Sequence, residues 1–336
     1  VLDLRDLAIP VVGAPMAGGP STPALAAAVS DAGGLGFLAA GYKSADRMAA
    51  EIEEVRATSS APYGVNLFLV EPYEPDPTRL DAYIRSLEAE AARLGADLGE
   101  PRWDDDDWQG KLQVVLDVRP AAVSFTFGCP SAEVLRTLAK HDVLTAVTVT
   151  SVAEAREAVA RGAASLAVQG PDAGGHRGTW DLDAHPDQTP LLDLVSAVVA
   201  EVAVPVAVGG GVTTARDVAS VLERGAVAAQ VGTAYLLADE AGTNPVHRAA
   251  LTDPDFTTTA LTRAYTGRWA RGVANRFMAE HDDAPAGYPH LHHVTAPLRA
   301  AAVAAGDAQV AHLWAGTGFA DARSIPAKEI TASLAP

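Results

Sequence analysis

The chain runs to 336 residues, with 42 acidic against 25 basic side chains and a formal charge of −17, a balance that disfavours non-specific binding to nucleic acid or an anionic membrane. Hydrophobic residues make up 49% of it, but charge, Gly or Pro interrupts them well short of the roughly 20 apolar residues of a membrane span, so a soluble protein is expected. A single cysteine, Cys129, excludes an internal disulfide, and no Cys/His group has zinc-site spacing, so no metal is expected.

The opening VLDLRDLAIP has neither the basic start nor the apolar centre of a secretory signal, which gives the expectation of a cytoplasmic protein. From residue 9 onward, short runs rich in Val, Ile and Phe alternate with helical stretches, the pattern of parallel β/α units. The predicted strands are 9–16, 35–40, 63–69, 122–127, 144–150, 164–169, 205–209 and 228–236, most of them apolar throughout, as strands buried on both faces are. Helix grammar fits between them: Ser151 is a candidate N-cap with Glu154 three residues on, Gly162 stands where a left-handed C-cap belongs, and 213–225 repeats the scheme. Eight units with glycines clustered at strand C-termini favour a closed (β/α)8 TIM barrel over an open doubly wound sheet.

A barrel takes about 250 residues, and two stretches fall outside its repeat. Residues 71–119 read as an insertion after the third strand, with a polar loop, a long helix and the acidic run WDDDDWQGKL. Consecutive carboxylates rarely converge on one ion, so Asp104 to Asp107 read as a solvated turn or helix start. The tail 244–336 reads as a small helical lid beside the barrel mouth, leaving 1–243 as the barrel domain.

Barrel active sites lie beyond the C-terminal ends of the strands. The sixth strand runs into VQGPDAGGHRG there, with Gln169, Gly174, Gly175 and His176; paired glycines let backbone approach a flat ring, and an imidazole can exchange a proton near neutral pH. The seventh strand ends in Gly209, Gly210 and Gly211, and the eighth in Gln230, Val231, Gly232 and Thr233, two adjacent turns suited to a phosphate cradle of backbone N–H groups and a helix N-terminus. Ala14, Pro15 and Met16 at the end of the first strand and Asn66 in the third complete a rim that could wrap a flavin ring, with soft packing from Met and both donor and acceptor from Asn. Further candidates nearby are Phe125, Thr126, Tyr265, Tyr288 and Arg271. His185, His247, His281, His290, His292, His293 and His312 are read as structural, the pair at 292 and 293 being the ones that could face the lid. Cys129 is read as a small buried hydrophobe, since nothing basic adjoins it in sequence to lower its pKa.

Taken together, APMAGG, GVNLF, VSFTFGCP, VQGPDAGGHRG, VGGGV, QVGTAYL and TRAYTGRWARGVANRF closely resemble the nitronate monooxygenase family, formerly called 2-nitropropane dioxygenases, from the first strand to LWAG near Trp314. The resemblance implies an FMN-dependent barrel in which Asn66, Gln169, Gly174, Gly211 and 230–233 are flavin-binding positions and His176 is the catalytic histidine. It implies oxidation of a small nitronate or nitroalkane, propionate 3-nitronate for example, by O2 to a carbonyl product and nitrite, with pairing into a homodimer left open. The AGGH segment is shared with FMN-dependent enoyl-thioester reductases that use NAD(P)H, which form the alternative reading, beside a non-catalytic flavin-binding barrel. The SFTFG strand ending, the acidic insertion and the long tail favour the nitronate side.

Overall fold

The computed structural model describes residues 1–336. Eight parallel strands form the sheet: β1 (Val11–Gly13), β2 (Gly36–Ala39), β3 (Tyr63–Phe68), β4 (Ala122–Thr126), β5 (Leu144–Val149), β6 (Ser165–Gln169), β8 (Val206–Gly209) and β9 (Ala228–Val231). Their order is β1-β9-β8-β6-β5-β4-β3-β2, and a parallel bridge between Val12 and Leu35 closes β2 onto β1, giving the expected (β/α)8 barrel. Register runs evenly round the ring, Val11 facing Ala229, Gly64 facing Ala122 and Leu166 facing Val206.

The outer ring is α1 (Pro23–Asp31), α2 (Ala45–Thr58), α4 (Trp108–Val118), α5 (Ala132–Lys140), α6 (Val152–Arg161), α7 (Leu191–Val199) and α8 (Ala215–Glu223), with α12 (Ala327–Ser333) returning from the chain's end to pack on α1. Local chemistry starts and stops these helices as their sequences suggest. The Ser151 hydroxyl accepts the Glu154 N–H, and Gly162 ends α6 in the left-handed region at φ 104°. The α6 cap is nonetheless not reciprocal: Glu154 reaches instead to the N–H groups of Thr150 and Trp180, tying the helix to the β6 side of the rim.

Two strands are shorter than their apolar runs. β1 stops at Gly13 and β9 at Val231, because the last ladder bond, Ala14 N–H to the Val231 carbonyl at 2.8 Å, releases both chains at the rim. Beyond it Thr233–Tyr235 coil into a single 3₁₀ turn rather than extending the strand.

The added stretches divide differently from their sequence appearance. Of residues 71–119, only the first part leaves the barrel: α3 (Pro77–Leu94) packs on α11 (His290–Ala304), whereas α4 packs on α2 and β3 in the outer ring. The tail is not purely helical. Between α9 (Pro245–Thr252) and α10 (Arg276–Glu280) it makes β10 (Thr259–Thr262) and β11 (Ala270–Val273), which form an antiparallel sheet with β7 (Gly175–His176) from the loop after β6. Two main cores result. One of 44 buried residues lies between barrel strands and outer helices; a second of 23 joins α3, α9, α10 and α11, so the layer over the mouth has apolar packing of its own.

Candidate active site

Between those cores, at the C-terminal ends of the strands, lies a cavity of about 600 Å³. That volume lies in the range that takes a cofactor or small ligand. Ala14, Pro15, Met16, Asn66, Gln169, Gly174, Gly175, His176, Gly209, Gly210, Gly211, Gln230, Gly232 and Thr233 all line it, gathered from five strand ends that sequence separates by up to 219 positions between Ala14 and Thr233. Val231 does not: its side chain is fully buried in the barrel core and only its carbonyl serves the rim. Of the further candidates, Thr126 lines the cavity. Tyr288 stands behind His176, Phe125 and Tyr265 are sealed in the cores, and Arg271 is bound to the Pro171 carbonyl and Thr259 in the small sheet.

His176 owes its place to β7. Pairing with Ala270 in β11, continued by the Arg177 N–H to the Trp269 carbonyl at 2.8 Å, fixes its backbone between barrel and overlying layer. Gln169 secures the same loop from below: its amide donates to the His176 carbonyl at 2.9 Å and accepts from the Gly178 N–H at 2.8 Å. The imidazole is packed by Phe127, Tyr288 and Trp314, each with ring centroids within 6 Å. Its Nε2 lies 2.9 Å from the Thr266 hydroxyl, which also reaches the Arg268 carbonyl at 3.3 Å. When Thr266 donates to Nε2, the ring proton sits on Nδ1, which makes no hydrogen bond within the protein and is not sealed in, so it is left as an N–H donor for a ligand. Burial, with the positive charges of Arg268 and Arg299, lowers the His176 pKa to about 3, so the ring is neutral at pH 7.

Asn66 is nearly sealed at 1% exposure, and its amide N–H groups go to the Ser124 and Thr126 hydroxyls at 2.9 and 3.0 Å. Its Oδ1 is left as a free acceptor. At the opposite side Gly210 and Gly211 take positive φ, 124° and 75°. The N–H groups of Gly210, Gly211, Val212 and Gly232 have no acceptor in the protein, and all four residues line the cavity. At the N-terminus of α8 a capping box takes the N–H groups of Thr214 and Asp217, Asp217 also takes the Thr213 N–H, and no residue of the helix lines the cavity. Four unsatisfied N–H groups at one wall favour an anion without help from the helix.

Of the remaining wall, the sequence marks only His292, as one of the pair that could face the lid. This wall comes from Tyr42, Asn244, His247, His292, Arg299, His312 and Trp314. Arg299 is nine-tenths buried, donates to Thr295 and to the His292 carbonyl, and lies 3.1 Å from His292 Nδ1; no carboxylate neutralises it, and its Nη1 makes no hydrogen bond. His292 stacks on Tyr42 at 4.1 Å and 4°. Burial lowers the pKa of His247 to about 4 and holds those of His292 and His312 below the ordinary histidine value as well. Of the adjoining pair, His293 turns away from the cavity to Asp104 at 2.5 Å. Cys129 is buried, and burial pushes its thiol up to about 11, which leaves it unreactive at neutral pH. No group of three or more His, Cys, Asp or Glu side chains is placed to hold a metal ion, and no helix is long and apolar enough to cross a membrane.

The sequence profile of the family described as nitronate monooxygenase matches residues 3–336. The nitronate monooxygenase of Pseudomonas aeruginosa is 38% identical over 97% of this chain and 95% of its own length, and that of Paraburkholderia phytofirmans is 37% identical over 99% and 93%. Among solved structures, a nitroalkane oxidase from Streptomyces ansochromogenes superposes with a TM-score of 0.94 at 46% identity, covering 99% of this chain and 96% of that one. Whole-chain similarity at this level, on a barrel of the same architecture, means that the chain belongs to the nitronate monooxygenase family and is a flavin-dependent oxidoreductase.

Proposed function

We propose that the protein binds FMN in this cavity and oxidises alkyl nitronates such as propionate 3-nitronate, two nitronates and one O2 giving two carbonyl products and two nitrites. The observation that carries this reading is the pairing, in one cavity, of an unneutralised Arg299 with a His176 that stays neutral. A buried guanidinium without a counter-ion favours an anionic ligand over a neutral one. The chain's charge of −17 does not oppose this, because surface charge is screened over about 8 to 10 Å whereas Arg299 acts at contact.

The residues present fit the cofactor. The free N–H groups of Gly210, Gly211, Val212 and Gly232 would hold its phosphate, Asn66 Oδ1 would accept an N–H from the ring, and Ala14, Pro15 and Met16 would pack against it. Bound there, the flavin supplies the redox chemistry that these side chains lack.

The side chains do the rest. Arg299 holds the nitronate charge, Phe127, Tyr288 and Trp314 exclude water around His176, and His176 Nδ1 faces the reacting group. A neutral imidazole of low pKa is a poor base toward a nitroalkane carbon but a suitable neighbour for a nitronate that has already lost its proton. Anaerobic mixing of the purified holoprotein with propionate 3-nitronate and, separately, with NADPH tests the reading. Nitronate should bleach the visible flavin absorbance and NADPH should not; bleaching by NADPH alone would replace this function with a reductase, and a protein that takes up no flavin would end it.

A further inference from the structure

The acidic run Asp104 to Asp107 is left unused by the chemistry above, yet three of its four carboxylates hold the two segments that carry part of the cavity wall, the 41–45 loop and α11. Asp106 Oδ1 accepts the Tyr42 N–H at 2.8 Å, and its Oδ2 lies 2.7 Å from the Lys111 ammonium, an ion pair almost wholly buried. Asp107 Oδ2 accepts the Ala45 N–H at 2.7 Å, closing the other end of the same loop. Asp104 pairs with His293 on α11 at 2.5 Å. The run therefore grips both sides of one contact, the stack of Tyr42 on His292, from which Arg299 is held in turn.

Tyr42 needs such a grip. Its φ is 67°, in the left-handed region where a bulky side chain is strained, and a strained residue persists only where its surroundings over-determine it. Asp106 stands at that backbone, and Lys111, one turn into α4, fixes Asp106 to the barrel's outer ring. On the far side the Gly99 N–H donates to the Val294 carbonyl at 2.9 Å, so the segment before the run is also fastened to α11.

We infer that Asp104, Asp106 and Asp107 form a positioning strap that sets the Tyr42–His292–Arg299 wall and thereby the fit of the nitronate, without themselves touching substrate or flavin. The inference rests on the function proposed above, because the wall is read as the substrate's side of the cavity. A strap of this kind acts on binding geometry rather than on the reacting atoms, so its loss appears in KM before kcat.

The test compares Asp106→Ala, Asp104→Ala and Tyr42→Ala with the exposed charge control Asp97→Ala, all as FMN-loaded proteins. Loss of uniform binding contacts at the wall should raise the KM of propionate 3-nitronate about tenfold or more in Asp106→Ala and Tyr42→Ala, with kcat within about threefold of the parent. Asp106→Ala combined with Tyr42→Ala should add nothing to the single changes, as for members of one unit. Asp104→Ala, which removes a half-exposed partner and keeps the Asp106–Lys111 pair, guards against a variant that fails to fold. Hydrogen exchange reads the strap without any substrate: Asp106→Ala should speed exchange in both 41–45 and 290–299, segments that meet at the Tyr42–His292 stack. Exchange changes confined to 104–111, or an unchanged KM in folded Asp106→Ala and Tyr42→Ala, overturns the strap. Absence of turnover in the parent together with faster exchange in both segments would instead sink the assigned function and leave the strap standing.

Discussion

His176 and Arg299 divide the work of the site by charge, and each makes a separable prediction. Replacing Arg299 by Met keeps its apolar stem and removes the guanidinium, whose hydrogen bonds to a charged ligand are worth about 1.5 to 3 kcal/mol, so the KM for ethyl nitronate should rise about 10- to 100-fold. Inhibition by neutral nitroethane should weaken far less, and initial rates of nitrite release from ethyl nitronate with and without nitroethane compare the two; equal losses would show that Arg299 supports the fold and not the anion. His176→Ala, which removes a ring hydrogen bond to the anion, should lower kcat/KM for nitronates by about 10- to 100-fold with the flavin still bound. Because the His176 pKa is held down to about 3, the kcat/KM profile should show no acid limb near pH 6.5, and an ionisation there that vanished in His176→Ala would refute the neutral-imidazole assignment. His176 was legible in sequence because it follows paired glycines at a strand's C-terminal end. His247, His312 and Arg299 were not, since they belong to a layer that no repeat places over the barrel, and His292 was marked only as one of a pair that could face the lid, because α11 shows a burial pattern without saying which cavity its buried face meets.

At the scale of elements, the eight strands announced themselves because continuous apolar runs of parallel strands leave little else to predict, and the barrel followed from their number. What the runs could not mark was where a strand stops. β1 and β9 leave the sheet at the rim although Ala14 to Met16 and Gly232 to Leu236 stay apolar, because those residues line the cavity or pack beneath it instead of pairing. The 71–119 stretch was misleading for a related reason: α4 follows an acidic turn that looks like insertion, while its buried Leu112 and Val115 belong to the barrel core. The glycine turn after β8 carries the element-scale prediction. Gly211 sits at φ 75°, where a Cβ would stand 3.1 Å from that of Asp172, so Gly211→Ala should distort the free N–H groups and weaken FMN binding by about tenfold or more, a loss of at least about 1.4 kcal/mol. Flavin-fluorescence titration of the apoprotein measures it. A matching loss in Thr214→Ala, which removes only the α8 cap at a cost of about 1 kcal/mol in stability, would show that the helix and not the turn holds the phosphate.

For the whole molecule, the layer over the barrel encloses several histidines in a protein whose surface is strongly negative, and these two features respond oppositely to acid. A histidine kept neutral by burial takes up no proton in the folded state until the pH reaches its lowered pKa, whereas the unfolded chain takes one up near pH 6.5. Stability is therefore lost as pH falls below about 6.5, by about 1.4 kcal/mol per pH unit for each such group, until the folded pKa is reached. His176 and His247 titrate in the folded protein at about 3 and about 4, so both remain in this window down to pH 4, and His292 and His312 act in the same direction. Asp106 opposes them. Burial, only partly offset by Lys111, raises its pKa to about 6, so it takes up a proton in the folded state first and adds stability as pH falls from about 6 towards its unfolded value near 3.9. Acid also relieves the self-repulsion of the −17 charge, but at 0.15 M salt charges more than about 8 Å apart are largely screened. One carboxyl and a screened surface cannot offset four buried imidazoles, so the thermal midpoint of the apoprotein should fall by several degrees between pH 7 and pH 5.5 in 0.15 M salt. His247→Gln, which removes one titrating group while keeping a polar side chain, should flatten that slope. Calorimetry across the pH series decides the matter: a midpoint that held steady or rose on acidification would mean that the histidines of this layer are not held neutral, and with that the case for an anion-selective cavity of neutral imidazole and lone guanidinium would fail.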